Sequence, residues 1–105
     1  MFTNKLSIEL VEQFILACQV SKINLDEIYL FGSNANEKSN ENSDIDIAIS
    51  SSIFSGFTPE DVSLLEPLFT DKKYSNLEPQ LFTKKYFEQG DPFIEEIKKT
   101  GIKLL

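Results

Sequence analysis

Gly32-Ser33 is followed, after ten residues, by Asp44-Ile45-Asp46-Ile47-Ala48-Ile49, a set of side chains able to handle phosphate. In an extended chain the side-chain period is two. Asp44 and Asp46 therefore leave one face, with Cα atoms roughly 6.6 Å apart, while Ile45, Ile47 and Ile49 leave the other. Aspartate is depleted in strands, and two carboxylates this close raise each other's pKa unless something positive sits between them. Hard oxygen donors without His or Cys select Mg²⁺ or Mn²⁺, and Mg²⁺ is commonly held by one or two carboxylates together with substrate phosphates. The plainer alternative is a half-exposed edge strand with two solvated aspartates. Upstream, Gly32 lets backbone amides approach a ligand closely and Ser33 offers a hydroxyl to phosphate oxygens, although Gly-Ser after a strand is also ordinary turn chemistry. Combined, the two stretches supply an anion-binding and a metal-binding element at a fixed separation, which a nucleotide-Mg²⁺ site requires.

The elements that must hold these residues are legible as periodicities. Between Leu6 and Val20, Leu10, Val11, Phe14, Ile15, Ala17 and Cys18 recur at helical spacing, with Glu9, Glu12 and Gln13 opposite, so this segment reads as an amphipathic helix. Cys18 lies on the apolar stripe and reads as a small buried hydrophobe. Asp26 to Phe31 and Asp44 to Ile49 read as strands, with a polar loop between them. Thr58-Pro59-Glu60-Asp61 reads as a cap, a first-turn proline and two acids that open a second helix. Asn76 to Phe82 reads as a further strand, at an edge or a bulge because Pro79 cannot donate to a ladder. Asp91-Pro92 opens a helix to about Lys99, with Lys98 and Lys99 at its negative end and Gly101 as its stop. Ile102 to Leu105 can add a last short strand. This alternation predicts an α/β domain with one sheet and helices packed on it.

Composition narrows the chemistry. The chain has 105 residues, with ten lysines, no arginine, seventeen acids and a formal charge of −7, the length of one small domain. Hydrophobic residues make up 41%, nine of them Phe, enough to bury roughly 65% of the unfolded surface and too many for a disordered acidic tail. The absence of His excludes His general bases, His-Cys zinc sites and Ser-His-Asp or Cys-His nucleophile systems. The lone Cys18 forms no internal disulfide, and no leader or long apolar run is seen, so a soluble cytoplasmic protein that avoids membranes is expected. The acidic balance argues against direct nucleic-acid binding, which draws on cations. The surplus is concentrated in residues 1–52, net −5 against −2 for the remainder.

Gly32-Ser33-x10-Asp44-x-Asp46 resembles the signature of the DNA-polymerase-β-type nucleotidyltransferase superfamily, and Ser43-Asp44-Ile45-Asp46-Ile47-Ala48 resembles its minimal nucleotidyltransferase (MNT) branch. The likeness extends over about residues 26 to 105, including Phe93-Ile94-Glu95-Glu96-Ile97-Lys98-Lys99-Thr100-Gly101-Ile102. It implies a polymerase-β-like nucleotidyltransferase fold (α/β, or α+β): a single minimal domain over residues 1–105, with one small mixed sheet and helices packed on it. It also implies a third carboxylate from a later strand, and Glu78 stands at the matching place. Relatives usually carry basic residues after the Gly-Ser, whereas this chain has Asn34, Asn36 and Glu37; Lys38, Lys72, Lys73, Lys84 and Lys85 are the cations that could substitute, or are simply solvated.

The activity implied by the resemblance is attack of a hydroxyl on the α-phosphorus of ATP or another nucleoside triphosphate, releasing pyrophosphate. Two Mg²⁺ ions, or Mn²⁺, are expected, with Asp44 and Asp46 as bridging ligands, Glu78 holding the catalytic ion, and Gly32 and Ser33 binding the β- and γ-phosphates. Glu78 is also placed to help deprotonate the acceptor. MNT proteins are often paired with a small helical HEPN partner, and some modify it by AMP transfer as the antitoxin of a toxin-antitoxin module, which is the leading expectation. The alternatives are an inactive antitoxin that acts by binding alone and a subunit that modifies a small molecule such as an aminoglycoside. Ile53, Phe54 and Phe57 are candidates for an exposed partner-facing segment, or else they cover one end of the sheet.

Overall fold

A computed structural model describes residues 4–32 and 44–105. Helix α1 (Asn4–Val20) precedes strand β1 (Glu27–Phe31) and strand β2 (Ile45–Ser51). Helix α2 (Thr58–Leu65) and two short 3-10 turns, Glu66–Thr70 and Lys72–Tyr74, lead to strand β3 (Leu77–Thr83). Helices α3 (Lys84–Gln89) and α4 (Pro92–Thr100) and strand β4 (Ile102–Lys103) complete the chain. The strands form a mixed sheet in the order β3-β2-β1-β4. β1 is antiparallel to β2 and to β4, while β2 and β3 run parallel, which is why the long crossover through α2 separates them in sequence.

The alternation in Asp44 to Ile49 divides the molecule into two cores. Ile45, Ile47 and Ile49 join Ile28, Leu30 and Leu77 in a cluster with Val11, Phe14, Ile15 and Cys18 of α1. On the opposite face Ala48 and Tyr29 pack against Phe87 of α3 and Ile94 and Ile97 of α4. Asp44 and Asp46 share the parity of Ala48, so they belong to the face covered by α3 and α4. Cys18 is 1% exposed, and burial pushes its thiol up to about 11. It is an inert core residue at neutral pH.

The ends of the elements match the expected caps in part. Asp91 accepts a hydrogen bond from the Ile94 backbone N–H at 2.7 Å, with Pro92 in the first turn and Lys98 and Lys99 in the last. β3 is an edge strand, the position that tolerates Pro79. Gly101 ends α4 where a Cβ would lie 2.6 Å from the Ile97 carbonyl oxygen and 2.9 Å from that of Leu30, so only glycine lets the chain turn this close onto β1. β4 is extended by a hydrogen bond from the Leu104 N–H to the Ile28 carbonyl at 2.8 Å.

One local expectation is corrected, one open alternative is decided and one element is added. Thr58 lies inside α2, and its preceding residue Phe57 caps the helix without a side-chain hydrogen bond. Order comes from Asp61 instead, 3% exposed, whose carboxylate accepts from the Ser55 N–H at 2.7 Å, the Ser55 hydroxyl at 3.1 Å and the Gly56 N–H at 2.9 Å. Phe54 is 5% exposed and belongs to the core, whereas Ile53 and Phe57 remain open. Helix α3 was not anticipated. Its six residues contain one buried side chain, Phe87, too few to print a helical period.

The Asp91 cap makes acid stability testable. The Tyr86 hydroxyl and the Ile94 N–H both donate to Asp91 and hold its carboxyl below the ordinary value. A depressed native pKa stabilises the fold above the unfolded pKa, about 3.9, and that contribution is lost as pH falls through the lower native value. Asp91→Asn keeps a capping oxygen but removes the titration. Thermal melts from pH 5 to pH 2 should show a shallower loss of stability in the variant than in the wild type.

Candidate active site

Parallel pairing places Glu78 directly beside Asp46, with Ile45 opposite Leu77. Asp44 precedes β2, and the hydrogen bond from the Ile45 N–H to the Asn76 carbonyl at 2.8 Å ties the starts of the two strands together. Across the other side of β2, Phe31 is the register partner of Asp46. The carboxylates that sequence places on one strand and on a distant segment are thus neighbours on one face, next to the residue that leads into Gly32.

Gly32 is required here for two reasons. Its φ of +77° lies in the left-handed region, and a Cβ built on it would fall 2.7 Å from Asp46 Oδ2. The Asp46 carboxylate therefore occupies the space a side chain at residue 32 would take. Gly32→Ala should cost about 1–2 kcal/mol through backbone strain alone, and it should also displace Asp46. A melt and a transfer assay on the same variant would register both effects.

The electrostatics are those of crowded acids. Burial, then the neighbouring Asp44 charge, raises the carboxyl of half-buried Asp46 above its usual value. Glu78 is raised first by a hydrogen bond with Asp44 and then by the charges of Asp44 and Asp46. Both effects make it harder for the neighbouring acids to be ionised together. In donor chemistry the group fits a hard divalent cation. Among the described residues, however, no three His, Cys, Asp or Glu side chains form a group that could hold a metal ion. Asp44 engages Glu78 while Asp46 lies against Gly32.

Ser33, Asn34, Asn36, Glu37 and Lys38 lie outside the described residues. Lys84 and Lys85 follow β3 at the opposite end from Glu78, which leaves them away from the acids. Lys72 and Lys73 lie in the 3-10 turn leading into β3 on the Glu78 side, both exposed, with Lys73 4.0 Å from Asp71 and 5.2 Å from the Tyr74 ring centroid. Sequence reading missed Phe31, whose place beside Asp46 is visible only once the strand register is known.

A four-stranded mixed sheet with helices on both faces, carrying a glycine turn after one strand and acids on the next two, defines a nucleotidyltransferase fold. The model of the nucleotidyltransferase domain matches residues 11–104. The chain belongs to that family. It is similar to a crystal structure from Sulfolobus solfataricus assigned as a nucleotidyltransferase, with a TM-score of 0.67, 19% identity, and coverage of 95% of this chain and 80% of that one. At that identity the likeness is one of fold. No curated protein matches the chain.

Proposed function

We propose that the chain is a Mg²⁺-dependent nucleotidyltransferase that moves AMP from ATP to a hydroxyl on a small helical HEPN-type partner, as the antitoxin of a toxin-antitoxin pair. The observation that supports the reading is the strand register that sets Glu78 beside Asp46, with the Asp46 carboxylate packed against Gly32. A divalent ion held by Asp44, Asp46 and Glu78 would supply charge stabilisation at the α-phosphate and at the departing pyrophosphate. Gly32 and Ser33 would bind the β- and γ-phosphates. The acceptor oxygen forms a bond to the α-phosphorus as the bond to the β-phosphate oxygen breaks, and Glu78 takes the hydroxyl proton. With no His in the chain, a carboxylate is the available base. The partner-facing part of the proposal is supported by open apolar residues around α2, where Ile53, Phe57, Val62 and Leu64 are each at least 40% exposed.

A second reading, in which the chain acts on its partner by binding alone, is favoured by Asn34, Asn36 and Glu37 standing where relatives usually carry basic residues. Labelled ATP and Mg²⁺ added to the chain co-purified with a HEPN-type partner separate the two. Label on the partner is the expected result. An intact complex without label is the outcome of the binding-only reading. If nucleotide and metal bind at the acids, Mg²⁺ and ATP should also raise the melting temperature of the chain alone, and a flat titration counts against the site.

A further inference from the structure

Phe93 presents a ring to solvent beside Phe31, the strand neighbour of Asp46. It is 48% exposed on the second residue of α4, where the Asp91 cap and Pro92 set the first turn. The Phe31 ring meets it with centroids 5.7 Å apart and planes at 83°, a T-shaped contact that fixes the ring while about half of the residue stays open. Phe31 is in turn the register partner of Asp46 and the residue before Gly32. Phe31 and Asp46 are thus neighbours on adjacent strands, about 5 Å apart, and the Phe93 ring meets Phe31 from α4.

We infer that Phe93, backed by Phe31, is the stacking surface for the base of the bound nucleotide. This rests on the nucleotidyl-transfer reading. Stacking a base on an aromatic ring is favourable for any base because every base has a π face. Phe carries no hydrogen-bonding group, so it selects ring area over base identity and favours purines. Stacking is also indifferent to charge, which suits a chain at −7, in which repulsion opposes a polyphosphate.

The test compares ATP with tripolyphosphate, which has no base, in equilibrium binding to the full chain with Mg²⁺. Phe93→Ala and Phe93→Leu should weaken ATP binding about tenfold and leave tripolyphosphate unchanged, while Phe93→Trp retains ATP. Equal ATP affinity in wild type and Phe93→Ala overturns the inference, and so does a parallel loss of ATP and tripolyphosphate, which would mark the ring as structural. A wild type that binds neither compound overturns the nucleotidyl-transfer reading and the stacking site with it. Melts of each variant accompany the binding data, so that a folding defect is read directly.

Discussion

Asp46→Asn should lower AMP transfer by about 10³-fold without lowering the melting temperature. The several kcal/mol of charge stabilisation that a metal held by carboxylates supplies at a phosphoryl centre corresponds to that factor. The stability half of the prediction follows from sign. A carboxyl whose native pKa is raised is ionised less readily in the folded than in the unfolded state, so at neutral pH its charge works against folding. Burial and the Asp44 charge raise Asp46, and the amide removes that charge while keeping the shape against Gly32. A transfer assay and a melt on the same preparation check both parts. Retained transfer sinks the assignment of Asp46, and a large fall in melting temperature would make it a structural residue.

Phe87→Ala should be the more damaging change to the fold, at about 3–5 kcal/mol. Phe87 is fully buried, with ring centroids 5.8 Å from Tyr29 and 5.4 Å from Phe82. Lys98 donates to its carbonyl at 2.9 Å and sits 4.7 Å from its ring centroid. One side chain thereby fastens α3 to the sheet and to α4, on the face that carries Asp46. Small domains hold about 5–15 kcal/mol in total, so chemical denaturation should show most of the margin gone. A loss below about 1 kcal/mol would mean that the second core does not depend on this ring.

Much of the fold was readable in advance because its signals are local. Asp91-Pro92 announced α4, Pro79 announced an edge, and the isoleucine alternation announced β2 and its two faces. The misses have equally physical causes. Thr58 looks like a cap in sequence, but the loop before α2 is held by Asp61, whose partners Ser55 and Gly56 are selected by how the backbone folds back. For Phe54 sequence left two alternatives, a partner-facing surface or a cover for the sheet, and only its place in the core cluster decides for the second. Helix α3 is too short to carry a pattern and is stabilised by what Phe87 touches.

For the candidate site, the amino-acid order by itself determined the residue types on offer: carboxylates without histidine, a glycine after a strand, and a strand period that sets Asp44 and Asp46 on one face. Those are properties of residue type and of a two-residue repeat, and neither needs a neighbour. Tertiary structure decided the neighbours. Glu78 lies beside Asp46 because β3 pairs in parallel with β2 at one particular register, and a shift of one residue would turn Glu78 to the other face. A second register, the antiparallel pairing of β1 with β2, sets Phe31 across from Asp46 and brings the Asp46 carboxylate to where a Cβ at residue 32 would be. Such contacts between distant segments are chosen by the packing of two cores, which no local pattern encodes.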